Sequence, residues 1–136
     1  MVTYTESHGG REKYFPVKYK KDLVGDCVIR AVAHGTRQDY LVVYNELFEL
    51  AMKTGLMPNS KRIYEAYLFS LGWKKHSPMS NGTGKKLRLK NYKCNGTYII
   101  LTSKHLTCIK DGVLYDSWDC RPWCGNSYYT PRKENE

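Results

Sequence analysis

Two short apolar runs, HLTCIK and VLYDSW, are separated by Asp111 and Gly112. An Asp-Gly pair between such runs is the strongest short-range hairpin signal. A two-residue type I′ turn needs positive φ at both central positions, and these residues reach it at least strain. The turn sets a register: Lys110 faces Val113, Ile109 faces Leu114, Cys108 faces Tyr115 and Thr107 faces Asp116. His105 lies two residues before Thr107 and shares its face of the sheet. Diagonal neighbours across an antiparallel pair are ~7–8 Å apart between Cα atoms, a gap that long side chains span. One oxygen of Asp116 can then accept from a ring nitrogen of His105, which fixes the tautomer and leaves the other nitrogen free. Asp119 is an alternative partner. Cys108, at an odd offset from His105, is expected on the opposite face.

Upstream of the hairpin the periodicity is helical. GDCVIRAVAHG reads as a short buried helix with Asp26 as N-cap and Gly35 as its stop. RQDYLVVYNELFELAMKTG places Leu41, Tyr44, Leu47, Phe48 and Ala51 at helical spacing and ends at Gly55. NSKRIYEAYLFSLG repeats the pattern with Ile63, Ala66, Tyr67 and Leu71, with Asn59 or Ser60 as cap. After Trp73 the pattern changes: KKHSPMSNGTGKK is loop-like, and GTYIILTS is a short apolar strand. Helices first and strands second predict an α+β fold with N-terminal helices packed on a small C-terminal antiparallel sheet. The 136 residues suit one domain, 1–136. Residues 1–18 are expected as an irregular or partly extended arm, and 126–136 as a flexible tail.

Composition narrows the class. There is no apolar run long enough for a membrane helix, and the polar opening MVTYTESHGGREKYFP does not resemble a secretory signal, so a cytosolic location is expected. The cysteine count, 5, is odd, and the thiols are expected to be reduced. Cys120 and Cys124 could supply half of a zinc site, but Cys94 and Cys108 lack the paired spacing of a structural one, so neither metal nor cofactor is expected. Net charge is +9. Between positions 66 and 110 there is no acid, while Lys74, Lys75, Lys85, Lys86, Arg88, Lys90, Lys93, Lys104 and Lys110 supply the whole excess. A localised positive field favours an anionic partner, nucleic acid or an acidic protein.

A histidine oriented by an aspartate is useful to a nucleophile. Cys27 opens the first helix, where unpaired N–H groups and the helix dipole favour a thiolate. His34 shares that helix face, but seven residues separate the two by ~10 Å along the axis, too far for direct proton transfer. His8 and His76 are expected in surface loops. Each residue also has a plain structural role open to it: Cys27 in the core, His105 at a strand end, Asp116 in a turn.

A cysteine opening a buried helix, then a histidine starting a strand, then DSW (Asp116, Ser117, Trp118) closing the next strand resembles the papain-like cysteine peptidases, which carry Asn-Ser-Trp at the third place. Asp26-Cys27 is similar to the nucleophile of bacteriocin-processing relatives. The chain resembles the small papain-like proteins of phages and bacteria over residues 20–35 and 97–118. By that resemblance Cys27 is the nucleophile, His105 the general base and acid, Asp116 the orienter and Trp118 a shield over the His–Asp bond. One departure stands out. The family places a Gln several residues before the cysteine as an oxyanion donor, but Gln38 is the only Gln and lies downstream. Lys21 or Tyr19 would have to substitute.

Two functions follow as expectations. The first is a thiol hydrolase or acyl transferase acting on a peptide or isopeptide amide, with no membrane partner, in a host cytosol if phage-encoded. The second is a catalytically weak or inactive papain-like module that binds nucleic acid or an acidic protein through its basic 66–110 stretch, with Trp73 and Tyr92 placed to stack on bases, as a phage antagonist of a host factor would.

Overall fold

The computed structural model describes residues 1–18, 24–93 and 95–132. Its elements run β1 (Thr3–Glu6), α1 (Cys27–Thr36), α2 (Tyr40–Thr54), α3 (Lys61–Ser70), β2 (Lys74–His76), β3 (Thr97–Leu101), β4 (Leu106–Lys110), β5 (Val113–Asp116) and β6 (Tyr128–Thr130). Single 3₁₀ turns cover Arg11–Lys13 and Leu89–Asn91. Among the described residues this is an α+β arrangement of 3 helices on a 6-stranded sheet of order β1-β5-β4-β3-β6-β2. The sheet is mixed, because β1 runs parallel to β5 while the other pairs are antiparallel.

The Asp-Gly hairpin has the expected register, with Lys110 opposite Val113, Ile109 opposite Leu114 and Cys108 opposite Tyr115. Asp111 at φ 49° and Gly112 at φ 80° make the turn that the register needs. Alternation along the strands then sorts two cores. Ile99, Leu106, Cys108 and Tyr129 face the helices and pack with Val32, Val43, Leu47 and Leu68. Ile100, Ile109 and Leu114 face the other way, against Val2, Leu89, Tyr92 and Cys120.

That second core revises four expectations. The N-terminal residues are part of the sheet, not an arm: Val2 is 1% exposed and β1 pairs with β5 along its length. The 126–136 segment is not a free tail over its described part, since β6 sits between β3 and β2 with Tyr129 fully buried; residues 133–136 lie outside the described residues. The polar stretch after Trp73 opens with strand β2, which includes His76, and ends by covering the far face of the sheet with Leu89 and Tyr92. Each such buried side chain contributes about 1.5–3 kcal/mol. Trp73 and Tyr92 are themselves core residues, 7% and 3% exposed, and cannot stack on bases.

The helices also differ in detail. Gly35 does not stop α1. It lies inside the helix, where a Cβ would come within 2.5 Å of the Ile99 side chain, so its bareness lets α1 lie directly on β3. Arg37, at φ 57°, ends the helix instead. In α2 the buried stripe is Tyr40, Val43, Leu47 and Ala51, which leaves Phe48 38% exposed. In α3 Tyr64 and Leu68, not Ala66 and Leu71, complete the buried face.

Candidate active site

Cys27 is the first residue of α1. Asp26 precedes it as N-cap, but its carboxylate makes no capping bond. It is drawn into a buried network instead: Arg30 approaches at 2.9 Å, Arg11 at 3.3 Å, and the Tyr40 hydroxyl donates at 2.6 Å. Arg11 comes from the N-terminal segment and Tyr40 from α2, so three parts of the chain fix the point where α1 begins. The helix therefore presents Cys27, half-buried, from a rigid base.

The base arrives from the sheet. β3 turns into β4 through Lys104 at φ 66°, and buried Thr102 binds the His105 carbonyl through both its N–H (2.7 Å) and its hydroxyl (2.9 Å). His105 Nε2 lies 2.7 Å from Asp116 Oδ2. Asp116 also accepts the Ser117 N–H at 2.7 Å on Oδ1. Its own strand is held by β1: the Ser7 N–H donates to the Asp116 carbonyl at 2.8 Å and the Tyr4 hydroxyl at 3.2 Å. Trp118, 38% exposed, lies with its ring centroid 4.8 Å from that of His105 and meets Trp123 edge-on at 5.1 Å.

The electrostatics are those of an ion pair. Burial pushes the Cys27 thiol up, but the hydrogen bond to His105, the Leu106 N–H and the imidazolium charge outweigh it, and the thiol falls below its ordinary value. Burial pulls His105 down, yet hydrogen bonding to Asp116, Cys120 and Cys27 raises it well above its ordinary value. Burial raises Asp116, and the hydrogen bond and charge of His105 with the Ser117 N–H bring it below the usual range. A thiol shifted down and an imidazole shifted up beside a carboxylate favour the thiolate–imidazolium form, a pairing suited to nucleophilic attack and proton return.

The remaining expectations fall out as follows. Tyr19 and Lys21, the substitute oxyanion donors, lie outside the described residues, as does Cys94. Asp119 is occupied by Arg121 at 2.7 Å, and Asp116 is the carboxylate that meets His105. His34 meets the Ser7 hydroxyl at 2.7 Å and stacks on Tyr115, with burial lowering its pKa to about 4. His76 contacts Thr130 at 2.7 Å. Cys108 is buried on the helix-facing side.

The basic residues separate. Lys74 and Lys75 stand on the edge strand β2, where Lys75 pairs with Glu65 at 2.8 Å. Lys85, Lys86 and Arg88 share a cavity of about 480 Å³ with Cys124, and Lys90 follows in the 3₁₀ turn.

The sequence reading considered Cys120 only as half of a zinc site with Cys124 and did not place it beside Asp116. Cys120 is fully buried, with its sulfur 3.7 Å from Asp116 Oδ2. His105, Asp116 and Cys120 bring one donor atom each to within 4.8 Å of one another. The 2.7 Å between Nε2 and Oδ2 is the span of a shared proton. Two ligands on a tetrahedral zinc at ~2.0–2.2 Å would sit further apart. Also missed was the cavity beside the thiol, about 230 Å³, which Tyr64, Lys61, Lys104 and Asn59 line together with Cys27 and His105. Asn59 and Val28 also line a larger cavity of about 390 Å³ walled by Tyr44, Phe48 and Met57. No local signal marks these residues, because only the packing of α3 on the sheet brings them to Cys27.

No protein-family model matches the chain, and neither a curated protein nor a solved structure is significantly similar to it.

Proposed function

We propose that this chain is a cysteine-dependent hydrolase or acyl transferase of papain-like type, acting on a peptide or isopeptide amide. The observation that carries the reading is one arrangement: a thiol at a helix start shares a cavity with an imidazole whose Nε2 is held by a buried carboxylate at 2.7 Å. The Cys27 thiolate attacks the carbonyl carbon. The negative oxygen of the tetrahedral intermediate meets the Cys27 backbone N–H at the open end of α1. His105 gives its proton to the departing amine, the C–N bond breaks, and an acyl-thioester remains. His105 then takes a proton from water or an acceptor amine, which attacks and frees the thiol. Asp116 keeps the imidazole in the tautomer this needs, and Trp118 limits water at the His–Asp bond. The second oxyanion donor is assigned to Lys21 or Tyr19. Among the described residues no helix is long and apolar enough to cross a membrane, and a cytosolic, phage-type setting fits the free thiols.

A second reading is a binding module for nucleic acid or an acidic protein, favoured by Lys85, Lys86 and Arg88 around one cavity. Such binding would weaken steeply with salt and survive Cys27→Ala.

The test of the first reading is the pH dependence of iodoacetamide alkylation at Cys27, followed by mass spectrometry. Alkylation should persist well below the ordinary thiol pKa of about 8.5 and shift to higher pH in His105→Ala. A slow, ordinary profile that ignores His105→Ala would overturn it.

A further inference from the structure

The cavity beside Cys27 has a one-sided chemistry. Among the described residues, the ionisable side chains lining it besides Cys27 and His105 are Lys61, Lys104 and Tyr64, with no carboxylate among them. Glu65, one residue beyond Tyr64, is engaged by Lys75 at 2.8 Å and by the Tyr129 hydroxyl at 2.5 Å.

Tyr64 supplies the second observation. The residue is 3% exposed and its hydroxyl has no hydrogen-bond partner among the described residues. Its ring meets that of Tyr129 edge-on at 6.0 Å, and the Tyr129 hydroxyl donates to Glu65. A buried hydroxyl left unpaired is costly and marks a place where something else completes it. Burial, with the charges of Glu65 and Cys27, pushes its pKa up to about 12, so it remains a donor.

We propose that this cavity is an anion-binding subsite in which the Tyr64 hydroxyl, Lys61 and Lys104 hold a carboxylate of the substrate next to the scissile amide. The proposal rests on the thiol-hydrolase reading above and names its substrate class: an amide flanked by an acidic side chain or a free carboxyl terminus. Tyr64 provides the directed, buried hydrogen bond, and the exposed lysines provide a field that draws the anion in. Lys104 also explains one use of the acid-free stretch, whereas Lys61 lies outside it.

Two small alkylating reagents test this without a known substrate. Iodoacetate carries a carboxylate at the position the subsite would fill, and iodoacetamide is its neutral match. The second-order rate ratio at Cys27 is measured at pH 6.5 relative to the same ratio for a free small-molecule thiol. The His105 imidazolium favours the anion in every variant, so comparison among variants removes its effect. The expected wild-type ratio exceeds the reference. Tyr64→Phe should lower the wild-type ratio by roughly tenfold, as a lost hydrogen bond to a charged group does. Lys61→Gln/Lys104→Gln should lower it by roughly threefold and blunt its salt dependence. Tyr64→Phe keeps the ring that packs edge-on against Tyr129 at 6.0 Å, and both lysines are exposed, so the variants should fold. A ratio unchanged in all variants, with Cys27 still reactive at low pH and dependent on His105, overturns the subsite and leaves the hydrolase reading standing. Equal slowing of both reagents in Tyr64→Phe also overturns it, because the hydroxyl would then be acting on the sulfur. A Cys27 with no His105-dependent reactivity overturns the hydrolase reading and the subsite with it.

Discussion

Replacing Asp116 by Asn changes one atom at a position that is 5% exposed, yet the two amide orientations cannot satisfy the same partners. Asp116 accepts twice, from His105 Nε2 at 2.7 Å and from the Ser117 N–H at 2.7 Å. If the Asn oxygen faces His105, its NH₂ meets the Ser117 N–H, donor to donor, and a largely buried N–H loses its partner. If the oxygen faces Ser117, the NH₂ points at Nε2. The imidazole must then carry its proton on Nδ1, and the nitrogen facing Cys27 can no longer take a proton. Either way the ion pair with the imidazolium is lost, and at most a bond to a neutral oxygen remains. Bonds to charged groups are worth roughly 1.5–3 kcal/mol, which corresponds to about 10- to 150-fold in the population of the ion pair. The carboxylate raises His105 and His105 lowers Cys27, so its loss lowers the first and raises the second. Alkylation of Cys27 by iodoacetamide at pH 6 should therefore slow by roughly 10- to 100-fold, while the rate above pH 10, where the thiolate forms unaided, stays near wild type. Stopped-flow or timed-quench mass spectrometry from pH 5 to 10 reads both limits. Equal slowing at both would mean that the variant buries the sulfur, and an unchanged profile would show that Asp116 does not act through His105.

Two further outcomes are expected. Gly35→Ala places a Cβ 2.5 Å from the Ile99 side chain; overpacking of about 1–3 kcal/mol, less ~1 kcal/mol of helix propensity, should lower the urea midpoint, and an equal or higher midpoint refutes the close approach of α1 to β3. His34, buried neutral with a pKa near about 4 against an ordinary 6.5, is protonated earlier in the unfolded chain, so its contribution is complete above pH 6.5 and is lost as pH falls toward 4. Allowing for its partial contact with water, the loss is of order 2 kcal/mol, and His34→Gln should show a smaller drop in urea midpoint between pH 7 and 4.5 than wild type.

What could be read ahead of the structure follows from the range of the interactions involved. The Asp111-Gly112 turn is a local preference, so the hairpin and its register were legible. Helical period announced α1, α2 and α3 as elements, but not which stripe would be buried: the Tyr40 bond to Asp26 and Arg11 turns α2 away from its simplest apolar face. β1, β2 and β6 are TYTE, KKH and YYT, too short and polar to signal themselves; partners far along the chain make them strands. Cys27, His105 and Asp116 were found because each sits at an element boundary with its own local mark. Cys120 and Tyr64 were not, since a turn after β5 and the packing of α3 carry them to the site.

The parallel pairing of Thr3–Glu6 with Val113–Asp116 bears on when the thiol becomes dangerous. Closing a loop of that length costs roughly 4 kcal/mol in chain entropy, and no other strand pair of the sheet joins segments so distant in the chain. During synthesis Cys27 leaves the ribosome long before His105, and Asp116 comes still later. Until β4 and β5 are made and packed on α1, Cys27 has neither His105 nor Asp116 beside it. On the function proposed above, the site would be completed only late in synthesis, because the residues that form it and frame it lie at opposite ends of the chain.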